Sequence, residues 1–144
     1  MIRKMRYEDL DEVTEIENEL FTNPWSRESF MSQLLKSDIC KLFVFDEDGV
    51  IKGVSGFWQI YERADIITIG VREAYQHQGI GKALMEAMIA EAKALNCEVM
   101  SLEVRVSNTV ALNMYEKFGF IKIRVREGYY SDNHEDAYEM MRAL

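Results

Sequence analysis

Glu103 and Tyr115 are the two side chains of this chain most readily paired for proton transfer. They lie in the stretch LEVRVSNTVALNMYEKFGF, residues 102–120. An ionised carboxylate accepts a proton and a neutral phenol donates one, so together they meet the needs of general acid–base chemistry. The residues around Glu103 alternate as a strand does. Met100, Leu102, Val104 and Val106 form an apolar face, and Val99, Ser101, Glu103 and Arg105 form the other. Glu103 is therefore expected to point away from the apolar face. In the helical pattern that follows, Ala111, Tyr115 and Phe118 share one side. Spacing alone leaves blander roles open. Glu103 could be a solvated strand residue or a partner of Arg105, and Tyr115 could be a packed aromatic.

A second constellation lies upstream, where REAYQHQGIGK runs from Arg72 to Lys82 between an apolar strand pattern and a helical one. Strand, glycine turn, helix is an order that gathers backbone N–H groups around an anion, helped by the positive end of the helix dipole. Two familiar phosphate motifs do not fit. A dinucleotide fingerprint needs a third glycine where Leu84 stands. A P-loop needs glycine at Gln76 and a hydroxyl residue at Ala83. What remains is Gln76-x-x-Gly79-x-Gly81, with Arg72, His77 and Lys82 able to add local positive charge. An ordinary strand-to-helix connection, with glycines for packing, is the alternative.

The elements that must hold these residues follow from periodicity. A strand over Ile2–Arg6 precedes a helix with apolar positions Leu10, Val13, Ile16, Leu20 and Phe21, and Asn23-Pro24 breaks it. Ser26 is a fitting N-cap for a second helix carrying Phe30, Met31, Leu34 and Leu35. Strands over Lys41–Phe45, Val50–Tyr61 and Ala64–Val71 follow, the first two joined at Asp46–Gly49. Gly79–Leu95 is the strongest helix, Val99–Val106 a strand, and Asn108–Phe118 a helix ended by Gly119. Strands over Phe120–Tyr129 and Asp136–Met141 close the chain. The order β-α-α-β-β-β-α-β-α-β-β predicts a mixed three-layer α/β architecture in one domain, residues 1–144.

Bulk composition narrows the function classes. A net charge of −8 argues against a broad nucleic-acid surface and favours cationic partners, although a solvated acidic face carries the same charge. Cys40 and Cys97 follow no metal-ligand spacing, and His77 and His134 are the only histidines, so no metal site is expected. The N-terminus lacks a signal-like apolar segment and no apolar run is long enough to span a bilayer, so a soluble, cytoplasmic protein with no membrane partner is expected.

Taken together, Ile69-Gly70-Val71, Gln76-x-x-Gly79-x-Gly81 and the Asn108…Tyr115 helix resemble the GNAT family of N-acetyltransferases. Four further stretches resemble its bacterial ribosomal-protein-alanine branch: PWS at 24–26, LEVRVSN at 102–108, MYEKFGF at 114–120 and YYSDNHEDA at 129–137. The resemblance implies a three-layer fold whose mixed, mostly antiparallel sheet is flanked by about four helices. It implies acetyl-coenzyme A as co-substrate, with no metal. Ile69, Gly70 and Val71 would pair with its pantetheine arm. N–H groups of Gln76, His77, Gln78, Gly79, Ile80, Gly81 and Lys82 would hold its pyrophosphate, and Asn108 would touch it from its helix. Glu103 would be the general base and Tyr115 the general acid. Arginines often precede the first glycine in this family, and His77-Gln78 replace them here; backbone contacts survive that change. Phe21–Phe30, including Trp25, and the Tyr129-Tyr130 segment with Glu135 and Asp136 would flank the acceptor amine. The implied acceptor is a protein N-terminus, the N-terminal alanine of the eighteenth protein of the small ribosomal subunit, whose basic tail suits an acidic enzyme. An acetyltransferase of a small amine or a lysine side chain, and a silent coenzyme A-binding module, are the competing readings.

Overall fold

A computed structural model describes residues 1–144. Strand β1 (Ile2–Lys4) leads through a 3-10 turn (Tyr7–Asp9) into α1 (Leu10–Leu20), followed by α2 (Arg27–Leu34). Then come β2 (Cys40–Glu47), β3 (Val50–Ile60) and β4 (Arg63–Val71). Helix α3 (Ile80–Ala94), strand β5 (Val99–Arg105) and helix α4 (Thr109–Lys117) precede β6 (Ile121–Arg126) and β7 (Ala137–Ala143). The seven strands form one sheet in the order β1-β2-β3-β4-β5-β7-β6. The expected order of elements and the mixed, mostly antiparallel sheet with four helices are borne out.

Local chemistry sets the element ends. The Ser26 hydroxyl accepts the Ser29 N–H at 3.1 Å and starts α2. The β2–β3 hairpin reverses at Asp48 and Gly49, both at positive φ, as a tight two-residue turn requires. Asp9 ends the 3-10 turn that leads into α1. Its carboxylate accepts from the Arg6 N–H and from the Arg3 guanidinium at 2.8 Å. Strand β6 stops at Arg126, short of the expected Tyr129. The chain turns at Gly128, at positive φ, whose N–H donates to Asp136.

Two apolar cores sandwich the sheet. On one face α1 and α2 bury Leu10, Val13, Ile16 and Phe30 against Val44 and Val54. On the other, α3 and α4 bury Met85, Met88 and Leu112 against Phe57, Leu102 and Val104. Burying a side chain of this size stabilises the fold by about 1.5–3 kcal/mol.

The parallel pair β4–β5 matters most for function. Its register holds only at Arg63–Val99, Ala64–Met100 and Asp65–Ser101. Beyond that the strands part, because β5 stays paired along its length to β7 on its other side while β4 stays paired to β3. A sheet that splits in its middle leaves two rows of backbone groups facing a gap rather than each other.

Candidate active site

A cavity of about 660 Å³ occupies the gap between β4 and β5. Ile66–Ile69 of β4 and Leu102–Arg105 of β5 are its walls. The C-terminal end of α1 and the α1–α2 connection border it on one face of the sheet, with Tyr129 and Tyr130. Asn108 and Tyr115 border it from α4.

This explains how Glu103 and Tyr115 come together. Leu102 and Val104 face the α3–α4 core, which includes Tyr115. Glu103 therefore faces the opposite side, as strand alternation requires. Were the sheet closed, the carboxylate and the phenol would be separated by it. The parted strands let both line one cavity.

Glu103 does not pair with Arg105, one of the roles that spacing left open. Its Oε1 lies 3.6 Å from Nε of Arg126 on β6. That is an ion-pair contact too long to be a hydrogen bond. Burial raises the Glu103 carboxyl above its ordinary range; Arg126 pulls it back, while Glu139 and Asp65 push it further up. A raised carboxyl is a stronger base once ionised.

Tyr115 is buried, packed edge-on against Phe120 with centroids 6.0 Å apart. Burial, with a smaller contribution from Tyr130, pushes its phenol above the ordinary value. It therefore stays protonated across the physiological range and can act as a donor.

The glycine turn has the form an anion requires. Gly79 adopts φ +85° just before α3, and a Cβ there would meet open space. The N–H of Gln76 is bonded back to Glu73, and helical bonding resumes with Ala83 to Gly79. The N–H groups of residues 77–82, between them, have no protein acceptor, and no side chain caps the helix. The backbone of the cradle thus presents a run of unbonded N–H groups at a helix N-terminus, the arrangement that binds anions.

The side chains of the turn differ from the charge pattern read in sequence. Arg72 turns away to Glu15 and Glu19 of α1, at 3.2 and 3.6 Å. Lys82 is exposed, 4.0 Å from Glu86. Positive charge at the cradle therefore comes chiefly from the backbone, because acids placed earlier in the chain claim Arg72. The Gln76 amide donates to the Val71 carbonyl at 3.0 Å, clamping the turn to the end of β4. Ile69, Gly70 and Val71 pair with β3 on one side and have no strand partner on the other. Asn108 spends its side-chain oxygen on the Ala111 N–H at 3.2 Å, capping α4 at the cavity edge.

Trp25 lines the cavity and also joins an aromatic cluster, 5.5 Å from Phe30 and 6.1 Å from Trp58. Tyr129 and Tyr130 stand edge-on, 5.0 Å apart. Arg105 packs over the Tyr130 ring at 3.9 Å and donates to Asp132 and Glu135. Asp132 also accepts the Thr22 hydroxyl at 2.8 Å, tying the α1–α2 connection to the β6–β7 connection. Burial pushes the Tyr130 phenol up to about 12, Arg105 opposing it.

Sequence reasoning missed Glu17. Only 1% of this residue is exposed, yet it lines the cavity. Its carboxylate accepts the Thr68 hydroxyl at 2.7 Å and the Trp25 N–H at 3.1 Å. The available signal was its place in the apolar stripe of α1, four residues after Val13 and three before Leu20.

The sequence model of the acetyltransferase (GNAT) family matches residues 10–120. A Bacillus subtilis (strain 168) protein provisionally named ribosomal protein bS18-alanine N-acetyltransferase is 39% identical, with 96% of this chain and 92% of that one covered. An N-alpha-acetyltransferase of Sulfurisphaera tokodaii is 35% identical over 99% of this chain and 92% of its own length. The crystal structure of an Escherichia coli ribosomal-protein-alanine N-acetyltransferase superposes with a TM-score of 0.91 at 30% identity, covering 100% of this chain and 93% of that one.

Proposed function

The protein belongs to the acetyltransferase (GNAT) family and is an acetyl-coenzyme A-dependent N-acetyltransferase, and on that premise we propose that its acceptor is a protein N-terminal α-amine. The acceptor we favour is the N-terminal alanine of ribosomal protein bS18, on which two similar proteins act by name. The observation that carries the mechanism is that Glu103 and Tyr115 line one cavity through the parted sheet. The donor would enter along β4 and the α3 N-terminus. The acceptor would enter from the α1 face, between Trp25, Tyr129 and Tyr130. We read residues 1–144 as one catalytic domain working in the cytoplasm; no helix is long and apolar enough to cross a membrane.

Amide formation needs a neutral amine. An α-amine titrates at about 7.7–8.0 and a lysine amine near about 10.4, a gap worth about 3.4 kcal/mol at neutral pH. Glu103 takes one proton from the acceptor ammonium. The freed nitrogen attacks the thioester carbonyl, and the C–S bond breaks. Tyr115 gives its proton to the departing thiolate and regains one that the nitrogen sheds. Two protons thus leave the amine, one appearing on the thiol and one in solvent through Glu103. No acyl-enzyme is required. Burial raises the Cys40 thiol to about 11 and raises that of Cys97, so neither is readied as a nucleophile.

A small-amine acceptor is a second reading, favoured by the Thr22–Asp132 bond that ties the two flanking loops together. One experiment separates the two. The protein is incubated with acetyl-coenzyme A and a panel of N-terminal peptides, lysine peptides, polyamines and amino sugars, and products are read by mass spectrometry. Acetylation of α-amines, greatest on the bS18 N-terminal peptide, is expected. Acetylation of small amines with no peptide product would overturn the proposal.

A further inference from the structure

Glu103 lies directly opposite Glu139 in the β5–β7 register. Two acids so placed repel one another unless a cation intervenes. The cation is Arg126, which reaches both. Resting on the reading of Glu103 as base, we propose that Glu139 and Arg126 are positioning residues that set its proton affinity while leaving its oxygens free.

The geometry is specific. Glu139 is 4% exposed and uses both carboxylate oxygens, accepting from Arg124 Nε at 2.7 Å and from Arg126 Nη2 at 2.9 Å. Held there, Arg126 presents Nε to Glu103 at 3.6 Å. That Nε is enclosed and has no hydrogen-bond acceptor. Glu103 itself makes no side-chain hydrogen bond. It therefore feels a guanidinium charge without sharing a proton with it. A carboxylate gripped in a two-pronged guanidinium bond would be a poor base, because its lone pairs would be occupied. A carboxylate facing Glu139 alone would already carry a proton at neutral pH and be unavailable as a base.

The other charged or titratable groups facing Glu103 are Asp65 and Arg63 on β4 and Tyr129 and Tyr130 beyond β6. Asp65 is engaged by Arg63 and the Ser101 hydroxyl. Burial opposes ionisation of Glu139, but its two arginines outweigh this and hold its carboxyl below the usual range. Glu139 is thus the fixed charge of the cluster and Glu103 the titrating one.

The test is the pH dependence of kcat for the full chain with acetyl-coenzyme A and one N-terminal peptide. Arg126→Gln should raise the midpoint of the acid limb by about one pH unit. Glu139→Gln should lower it, by removing a negative charge and freeing Arg126 for Glu103. Arg124→Gln breaks a bond to the same Glu139 but does not touch Glu103, and should leave the midpoint where it is. Equal midpoints for Arg126→Gln and Arg124→Gln would overturn the inference, as would an upward shift in Glu139→Gln. Should Glu139→Gln fail to fold, the two arginine variants decide alone. Glu103→Gln tests the underlying reading separately. If it keeps the wild-type acid limb, the base is elsewhere and the inference falls with it; if it loses the limb while Arg126→Gln shifts nothing, the inference alone is wrong.

Discussion

Tyr115 and Glu17 border the same cavity, yet removing each should fail differently. The Tyr115 hydroxyl makes no hydrogen bond within the protein, so Tyr115→Phe leaves no partner stranded. It should keep the fold and the affinity for coenzyme A, measured by calorimetry, while kcat falls by about 10²-fold or more. Unchanged turnover would remove Tyr115 from the chemistry. Glu17 is buried and accepts two donors, so Glu17→Ala strands both the Thr68 hydroxyl and the Trp25 N–H. That should cost about 1–3 kcal/mol in denaturant unfolding. It should also raise the acceptor KM more than the acetyl-coenzyme A KM, since Trp25 lies on the acceptor side. Helical spacing placed Tyr115 on one side of its helix, and the family resemblance supplied its role. Glu17 was hidden because an acid within an acid-rich helix resembles the solvated residues around it, and only the neighbouring strand supplies the hydroxyl that buries it.

Among the elements, those defined by local pattern were legible and those defined by partnership were not. The apolar stripe of α3 was read from spacing, and Ile80, Leu84, Met85, Met88, Ile89 and Ala92 are buried. The parting of β4 from β5 has no local signature, because it depends on each strand's hold on its other neighbour. Nor could alternation along β5 reveal that Glu103 would face Glu139, some 36 residues further on. Two predictions belong to this scale. Gly79→Ala forces a side chain into the left-handed region, a strain of about 1–2 kcal/mol, with no clash to add to it. Thermal unfolding should fall by about 2–4 °C per kcal/mol, and coenzyme A binding should weaken as the turn relaxes. Retained affinity would show that the turn is packing alone. Arg105→Ala removes the contacts that hold Asp132, Glu135 and the Tyr130 ring. The acceptor KM should rise about tenfold, a loss of about 1.4 kcal/mol, with the acetyl-coenzyme A KM unmoved. Equal changes in both constants would mean that the β6–β7 connection supports the whole cavity rather than the acceptor side.

At the scale of the whole molecule, a net charge of −8 sets a field that any acceptor crosses before it reaches Glu103. Several of the acids are already committed: Asp9 to Arg3, Asp132 and Glu135 to Arg105, and Glu139 to Arg124 and Arg126. The pairs of Arg105 and Arg126 organise the site, and all of them cancel much of their own long-range field. On α1, Asp11 pairs with Arg27 but Glu15 and Glu19 share the single Arg72, so its exposed acids outnumber the cations that face them, and α1 ends at the cavity mouth where Leu20 and Phe21 line it. A cationic peptide should therefore be drawn to the acceptor side and a neutral one should not. The two are distinguished by salt. With peptides sharing an N-terminal alanine, raising ionic strength from about 0.05 to about 0.5 M should raise KM several-fold for an arginine-rich sequence. It should leave a neutral sequence nearly unchanged, and kcat should hold for both, since the chemistry lies in a cavity screened far less than the surface. Equal salt dependence for the two peptides would show that the acidic surface serves solubility alone, and that any preference for a ribosomal tail is made by contacts within the cavity.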